Sequence, residues 1–352
     1  MYLKEKKMRK TIIVFLALFL IVTFQAVAAE KAKLKVGYAP GGGSVLAFIA
    51  QDQKFFEKEG LDVELVQFAS SSDGLNAVNS GKIDIGISFG TAGPLTFISK
   101  GADFTIIGGM LAGGHPVIAL PANKDKFKSI KDFKGKTIAT PRIYTSDIVW
   151  RGALKRAGID PDKDVNIIEL KNPSAVLEAV KSGKVDAGIG ASSLVMKVED
   201  AGVVIVGWSN DFFPNHPCCR VVARGKSTQD SPAVYRAFLR ALLQAEKVKY
   251  EKPDYAVDVN KRFLNLDDQT AKVFTLEPHQ ATHVDPDTKG VKRMWDDMKA
   301  IKYVDESDDI DVTKYVNTKL YLDALNDLLK RNPKDKYFLQ VKKHFAANNK
   351  QI

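Results

Sequence analysis

The sequence predicts an α/β fold of two similar lobes, each a mainly parallel sheet flanked by helices. The stretch "AVNSGKIDIGI" at residues 77–87 returns as "AVKSGKVDAGI" at 179–189, an offset of 102 positions. Each copy lies in a segment where short apolar strands alternate with short helical patterns, which is typical of βαβ units. The length of 352 residues also exceeds that of one typical core, so two lobes are expected.

The elements of the first copy follow from apolar periodicity and from residues that begin or end helices. Gly60 is a signal for a helix C-terminus, and Ser72 or Asp73 is a candidate helix N-cap. In order, the first copy predicts a strand at 34–39, a helix at about 44–58, a strand at 61–68, a helix at about 72–80 and a strand at 83–88.

The second copy repeats this order without gaps. "LKVGYAPGGGS" (34–44) lies over "KTIATPRIYTS" (136–146), and "LDVELVQF" (61–68) lies over "KDVNIIEL" (163–170). In each pair an apolar strand is followed by polar or small residues. The offset therefore matches every loop of one lobe with a loop of the other.

Two His-Pro segments mark the expected crossings between the lobes. "GGHPVIALPAN" (113–123) and "PNHPCCRVVAR" (214–224) each lead into an apolar strand. Crossings near 115–122 and 217–224 would form a hinge. Beyond residue 231 the pattern is helical, with Ser231 as N-cap and Pro232 in the first turn.

The N-terminus has the layout of a secretory signal peptide. A basic cluster precedes an apolar run at 12–22, and "AVAAE" offers a cleavage site near Ala28 or Ala29. The apolar run is short for a membrane span, which leaves an uncleaved anchor as the weaker alternative. The predicted organisation is a signal peptide at 1–28, lobe 1 at 30–115, lobe 2 at 116–222, and a return to lobe 1 with C-terminal helices at 223–352.

Charge and cysteine content narrow the function classes. Residues 1–28 carry five basic residues and one acid, so their removal lowers the formal net charge from +10 to +6. The basic residues are dispersed among acids, which argues against nucleic-acid binding. Cys218 and Cys219 are adjacent and cannot join distant parts of the chain. They are expected to be buried thiols in a strand, or else a strained vicinal ring.

Several segments together resemble one family of exported proteins. These are the signal peptide, "VGYAPGGGSVLAFIAQDQKFFEKEGLDVEL", "SGKIDIGI", "DFKGKTIAT" and "HPCC". They resemble the NMT1-like group of ABC-importer substrate-binding proteins, which includes receptors for nitrate, sulfonates, taurine and thiamine-pyrimidine precursors. The resemblance covers residues 33–330 approximately. It implies a two-lobed, type II-like periplasmic binding protein, a monomer without cofactor, that closes on a small solute and delivers it to a membrane permease.

The ligand is expected at the carboxyl ends of the strands, where loops lead into helix N-termini. Such termini present unpaired N–H groups to anions. Applied to both copies, this rule predicts a ligand site formed by Gly41, Gly42, Gly43, Ser44, Ser70, Ser71, Ser72, Gly90 and Thr91 in lobe 1, by Arg142, Tyr144, Thr145, Ser146, Ser192 and Ser193 in lobe 2, and by His115 and His216 at the crossings.

Other residue patterns favour structural roles. Asp84 and Asp186 are expected to fix the turn that follows each "SGK" motif. His279 and His283 are four residues apart, but the neighbouring prolines argue against a metal site there. The sequence has no nucleophile elbow or catalytic triad at recognisable spacing, so an enzyme is not predicted.

The solute and the biological role stay open at this level. The preferred ligand is a sulfonate-like anion, and the alternatives are a pyrimidine, a flavin or another aromatic solute. A thiamine-pyrimidine or menaquinone-pathway type of enzyme on the same fold and a soluble sensory receptor are the alternative functions.

Overall fold

Two β-sheets organise the chain, which the computed structural model describes at residues 30–142, 144–198, 200–305 and 309–349. The predicted signal peptide falls outside these residues. The chain from Ala32 onward forms one compact unit. Within the described ranges, no helix combines the length and the apolar character needed to cross a membrane.

The first sheet contains six strands among the described residues: β1 (Ala32–Tyr38), β2 (Leu61–Gln67), β3 (Ile85–Gly86), β4 (Phe104–Gly113), β10 (Pro217–Arg224) and β11 (Gln280–Ala281). Their order across the sheet is β2-β1-β3-β10-β4-β11. β1 is parallel to β2 and β3. β10 is antiparallel to both β3 and β4, and β11 is antiparallel to β4.

The second sheet contains five strands in the described ranges: β5 (Pro116–Ala119), β6 (Thr137–Pro141), β7 (Asn166–Leu170), β8 (Ala187–Ile189) and β9 (Val204–Trp208). Their order is β7-β6-β8-β5-β9. β6 is parallel to β7 and β8, whereas β5 is antiparallel to β8 and β9.

The two sheets share one strand order, as the repeat predicts. In each sheet, the first strand of the repeat lies between the second and the third. Next to the third strand lies an antiparallel strand that the chain enters after crossing from the other sheet. β10 has this position in the first sheet and β5 in the second. The two-lobed α/β fold is confirmed, but the prediction of mainly parallel sheets needs correction. Parallel pairing is confined to the three strands of each repeat, because every crossing strand enters antiparallel.

Fourteen α-helices surround these sheets in the described residues. They are α1 (Val45–Asp52), α2 (Phe55–Lys58), α3 (Ser71–Asn79), α4 (Ala92–Ser99), α5 (Thr145–Arg156), α6 (Pro173–Lys181), α7 (Ser209–Phe212), α8 (Gly225–Asp230), α9 (Pro232–Glu251), α10 (Pro253–Leu264), α11 (Asp268–Leu276), α12 (Thr288–Ala300), α13 (Thr318–Arg331) and α14 (Lys336–Asn348).

Each sheet has an apolar cluster on both faces, because successive strand residues point to opposite sides. In β4, Ile107 belongs to the cluster that packs under α1 and α9, whereas its neighbour Ile106 packs with α4 and α12. In β5, Val117 and Ile118 separate in the same way between two smaller clusters. The helices that cover both faces therefore explain why the central strands β4, β5 and β10 are almost continuously buried.

The repeated motif makes the same contacts in both copies. The Asp84 carboxylate accepts a hydrogen bond from the Lys35 backbone N–H at 2.8 Å. Asp186 accepts one from the Thr137 backbone N–H, also at 2.8 Å. The glycine of each "SGK" has a positive φ, 75° at Gly81 and 68° at Gly183, the left-handed conformation that ends a helix. The prediction of a structural role for both aspartates is confirmed.

Two predicted boundaries and one predicted helix cap differ from the structure. The helix expected at 44–58 is divided, because Lys54 has a left-handed φ of 56° between α1 and α2. The strand expected at 83–88 is a two-residue strand. Ser231 precedes α9 and Pro232 begins it as expected, but the Ser231 side chain makes no capping hydrogen bond.

Candidate functional site

The carboxyl edges of the two sheets meet where the chain crosses between them. β4 ends at Gly113 and β5 begins at Pro116, so a two-residue link joins the sheets. β4 and β3 are both antiparallel to β10, so Gly113 lies at the edge where β1 and β3 end. Pro116 lies at the edge where β6 and β8 end, because β5 is antiparallel to β8. Ligands of α/β proteins bind at such edges, which makes this junction the candidate site.

The clearest contact across the junction joins Thr91, at the start of α4, to Thr145, at the start of α5. Both hydroxyl groups donate to the carbonyl oxygen of Cys218, Thr91 at 3.1 Å and Thr145 at 3.3 Å. The Thr91 backbone N–H also lies 3.4 Å from Thr145 Oγ1. Both side chains are buried. The first turns of two helices, one from each repeat, are thus held against β10.

The serines at equivalent positions of the two repeats have different surroundings. Ser44 donates to the Ala39 carbonyl at 3.0 Å and lies 3.1 Å from Ser88 Oγ. Ser146, 102 positions later, is also fully buried, but its hydroxyl has no hydrogen-bond partner among the described residues. The residue 102 positions after Ser88 is Gly190, which has no side chain to offer. A Cβ at Gly190 would come within 2.8 Å of the Pro116 carbonyl oxygen, so the site excludes a serine there.

The two predicted histidines form a buried stack beside the crossings. The rings of His115 and His216 have centroids 5.3 Å apart and planes inclined by 14°. His216 Nε2 lies 2.8 Å from Ser209 Oγ, and Ser209 Oγ accepts the His115 backbone N–H at 3.1 Å. Both ring nitrogens of His115 and Nδ1 of His216 are buried, and no described residue is their hydrogen-bond partner.

Burial keeps both imidazoles neutral. It lowers the pKa of His115 to about 4. It also lowers the pKa of His216 well below its ordinary value, and the nearby His115 and Arg220 add to this effect. Neutral imidazoles with free nitrogen atoms can donate or accept a hydrogen bond from a neutral or anionic ligand.

A buried arginine, Arg220, places a positive charge on β10, two residues beyond Cys218. The Arg220 guanidinium, in β10, donates to the carbonyl oxygens of Asp285 at 2.9 Å and of Leu111 at 3.0 Å. The side chain is 2% exposed and Nε has no partner. Burial lowers its pKa, against the attraction of Asp287 and Asp285. An arginine stays charged even so, which makes the junction favourable for negative charge.

The glycine loop 41–43 fits closely between β11 and β10. A Cβ at Gly42 would lie 2.3 Å from the Phe274 carbonyl oxygen and 3.0 Å from Gln280 Oε1. A Cβ at Gly43 would lie 3.3 Å from the Ser88 Cβ and 3.4 Å from Cys219 Sγ. Close approach of the backbone therefore requires glycine at position 42 and leaves little room at 43, whereas a Cβ at Gly41 would meet no described atom within 4 Å.

Several predicted residues have contacts away from the threonine pair. Ser70 caps α3 by accepting the Asp73 backbone N–H, and the next two serines are exposed in the first turn. Arg142 is exposed and forms an ion pair with Glu169 at 3.5 Å. Tyr144 is 39% exposed. Ser192 is half-buried and Ser193 is exposed at the start of a short 3-10 helix.

Residues that the sequence analysis missed include Ser88, Ser209, Arg220 and the backbone carbonyl of Cys218. Ser88 precedes Gly90 by two positions, and its pairing with Ser44 is a signal that the repeat comparison could have found. Ser209 and Arg220 join elements distant in sequence, and no local pattern marks them.

The described residues contain no group of three or more His, Cys, Asp or Glu side chains placed to hold a metal ion. His279 Nδ1 lies 2.7 Å from Glu277, and its ring stacks on Trp208 with centroids 3.8 Å apart. His283 lies 3.5 Å from Glu246. The two histidines thus have separate acidic partners.

Comparison with known proteins is consistent with this architecture. A binding protein of Brucella abortus (strain 2308) is 29% identical over 72% of this chain and 79% of its own length. The taurine-binding periplasmic protein of Escherichia coli (strain K12) is 26% identical over 66% of this chain and 71% of its own.

A solved structure shows the same fold. The periplasmic aliphatic sulphonate binding protein SsuA of Escherichia coli aligns with a TM-score of 0.68 at 19% identity, over 83% of this chain and 99% of that one. The model of the NMT1-like family matches residues 27–263. This match covers more than half of the chain, which therefore belongs to the NMT1-like family.

Proposed function

We propose that this protein is the exported solute-binding component of an ABC importer and that it binds a small organic anion, sulfonate-like, at the junction of its two sheets. The observation that carries the proposal is the set of buried polar atoms without partners there. Within the described part of the chain, Ser146 Oγ, His216 Nδ1 and both ring nitrogens of His115 are buried and have no hydrogen-bond partner. Buried polar atoms normally have partners, so an orphaned group points to a missing ligand or solvent molecule.

Two features of the junction favour an anion. Ser146 is the second residue of α5, and the first turn of a helix presents unpaired N–H groups and partial positive charge. Arg220 adds a buried guanidinium whose partners are two backbone carbonyls. A sulfonate oxygen would accept from the Ser146 hydroxyl and from the free N–H of a neutral imidazole.

Relatives and the N-terminus support the location and the partner. The taurine-binding relative is named as periplasmic, and residues 1–28 have the composition of a signal peptide. A receptor in that compartment would act as a monomer that closes on its solute and docks onto a membrane permease. The contact of Thr91 with Thr145 is the kind of contact that closure would make.

A thermal-shift screen tests the proposal directly. The protein is heated with taurine and longer alkanesulfonates, and in parallel with nitrate, bicarbonate, pyrimidines, flavins and aromatic acids. A ligand at about 100 times its Kd adds about 2.7 kcal/mol to the free energy of unfolding, which gives a clear rise in Tm. We expect the rise with a sulfonate. The Ser146→Ala variant should lose most of it, and the control Ser182→Ala, at the end of α6, should keep it.

Other outcomes would contradict the proposal. If Tm rises with a pyrimidine or a flavin and with no anion, the solute is an aromatic compound and not a sulfonate-like anion. Mass spectrometry of the stabilising compound after incubation tests for an enzyme. If the protein converts many equivalents of the compound to a product, it is an enzyme and not a receptor. An equal shift in wild type and Ser146→Ala would remove that hydroxyl from the site.

A further inference from the structure

Cys218 and Cys219 lie in the candidate junction as two free thiols, both buried. We propose that they form a reversible dithiol–disulfide site that reacts with small disulfide compounds and thereby changes the contact between the two sheets. This inference concerns the thiols and β10, and it does not depend on the identity of the solute.

A β-bulge places the two thiols together. Along a regular strand, successive side chains point to opposite faces of the sheet. In β10, however, Pro217 pairs with Ala112 and Cys219 pairs with Leu111, so Cys218 is an extra residue opposite the β4 ladder. The Sγ atoms lie 3.5 Å apart as a result. Bulges of this kind redirect a side chain, and here the redirection brings two sulfur atoms into contact.

The surroundings of the two thiols shift their pKa values in opposite directions. The hydrogen bond between the thiols lowers the pKa of Cys219, and the Gly90 backbone and the Arg220 charge lower it further, against burial. The same hydrogen bond, with burial, raises the pKa of Cys218. The backbone hydrogen bond from Gly90 favours the thiolate form at Cys219, and the thiolate is the nucleophile.

The reaction needs a disulfide as oxidant. The Cys219 thiolate attacks one sulfur of the donor disulfide and releases the first donor thiol, which takes up a proton. Cys218 then loses its proton and attacks the Cys219 sulfur of the mixed disulfide, releasing the second donor thiol. Two protein thiols are oxidised to one disulfide, and one donor disulfide is reduced to two thiols.

The product ring would be strained and easily reduced. Neighbouring Cα atoms are about 3.8 Å apart, below the range of about 4.4–6.8 Å that ordinary disulfides span. Strained disulfides have the more oxidising potentials of labile sites. When the two sulfur atoms, 3.5 Å apart in the dithiol form, move to bonding distance, the peptide group between Cys218 and Cys219 must also rotate. That peptide carries the Cys218 carbonyl oxygen, the shared acceptor of Thr91 and Thr145.

Intact-mass measurement tests the reaction. The purified protein is incubated with oxidised glutathione at pH 8, then unfolded and alkylated with N-ethylmaleimide. We expect a main product lighter by two hydrogen atoms that takes up no N-ethylmaleimide, and dithiothreitol should restore two alkylatable thiols. The chain has two cysteines, so no other thiol interferes. Cys218→Ser should stop at one glutathione adduct on Cys219, whereas Cys219→Ser should react at least several-fold more slowly.

A second measurement tests the effect on the junction. Amide hydrogen exchange of the segment around Thr91 should be about fivefold faster in the oxidised protein than in the reduced one, as expected for the loss of about one hydrogen bond. The proposal is overturned if both thiols can still be alkylated after the folded protein has been incubated with oxidised glutathione, or if the product carries two glutathione adducts or is a covalent dimer. It is also overturned if the rate of amide exchange near Thr91 is the same in the oxidised and the reduced protein.

Discussion

Thr91 and Thr145, 54 residues apart, donate their hydroxyl protons to one acceptor, the carbonyl oxygen of Cys218. Each threonine belongs to the first turn of a helix from a different repeat, and the acceptor lies on a strand that returns to the first sheet. This three-way contact ties together the two repeats and one crossing of the chain. The contributions of the two hydroxyl groups to the free energy of unfolding therefore depend on each other.

The shared acceptor predicts a non-additive effect of substitution. Thr91→Val leaves the Cys218 carbonyl with Thr145 and should cost about 1 kcal/mol of unfolding free energy. Thr145→Val leaves it with Thr91 but also removes the acceptor of the Thr91 backbone N–H, so it should cost about 1–2 kcal/mol. The double variant removes both donors and should cost about 1 kcal/mol more than the sum. Urea unfolding of the four proteins measures the coupling.

The control for this cycle is a pair of threonines with separate acceptors. Thr96 donates to the Ala92 carbonyl and Thr228 to the Gly225 carbonyl. Valine at both positions should give additive losses. Additive losses at Thr91 and Thr145 as well would contradict the shared contact.

The equivalent serines of the two repeats should respond in opposite ways to alanine. Ser44→Ala removes a hydroxyl bonded to the Ala39 carbonyl and to Ser88, and should cost about 1 kcal/mol of stability. Ser146→Ala removes a buried hydroxyl without a partner. It should leave the stability of the ligand-free protein unchanged or slightly raised, because burying an unsatisfied hydroxyl is itself unfavourable. Thermal unfolding without solute compares the two, and an equal loss in both would show that Ser146 has a partner in solution.

The buried histidines predict a loss of stability below neutral pH. The unfolded chain binds a proton at each histidine near pH 6.5. Folded His115, with a pKa of about 4, does not do so until much lower pH. The unfolded state therefore holds more protons between these values, and stability falls as pH decreases through that window, by up to about 1.4 kcal/mol per pH unit for each histidine.

Replacing one histidine isolates its share of the pH dependence. His115→Gln should flatten the decline measured by urea unfolding from pH 7 to pH 4.5. A His115→Gln profile parallel to that of the wild type would show that His115 is accessible to protons in the folded state.

The aspartates of the repeated motif should be needed for stability and not for binding. Asp186 accepts the Thr137 backbone N–H across two strands of the second sheet. Asp186→Ala should cost about 1–3 kcal/mol, because a hydrogen bond to a charged group is lost. Glu178→Ala, on the exposed face of α6, is the matched control and should cost less than about 0.5 kcal/mol. A weaker affinity for a stabilising solute in Asp186→Ala, measured well below its Tm, would argue for a direct role at the site.

The internal repeat allowed much of the fold to be predicted from sequence. The offset of 102 positions matches Lys35 with Thr137 and Asp84 with Asp186, and the backbone contacts of these pairs are the same in both copies. Helix ends marked by glycine were also predictable, since Gly81 and Gly183 need a positive φ that other residues avoid. These features depend on a few neighbouring residues, and so sequence patterns reveal them.

The composition of the candidate site was less predictable, because it depends on which distant elements meet. Gly90, Thr91, Thr145 and His216 were proposed from loop positions, and whether they bind a solute stays a prediction. The repeat could not reveal that Ser44 and Ser146 have different surroundings. The difference arises because Ser88 contacts Ser44 in the first copy, whereas the equivalent residue in the second copy is Gly190.

The sequence by itself determined the two α/β repeats and the helix ends that glycine marks, because these follow from apolar periodicity and from the backbone preferences of glycine. Tertiary structure decided that β10 and β5 enter antiparallel, that a bulge brings Cys218 and Cys219 side by side, and that Thr91 meets Thr145. Those outcomes depend on how strands distant in sequence pair, and no local pattern specifies pairing over such distances.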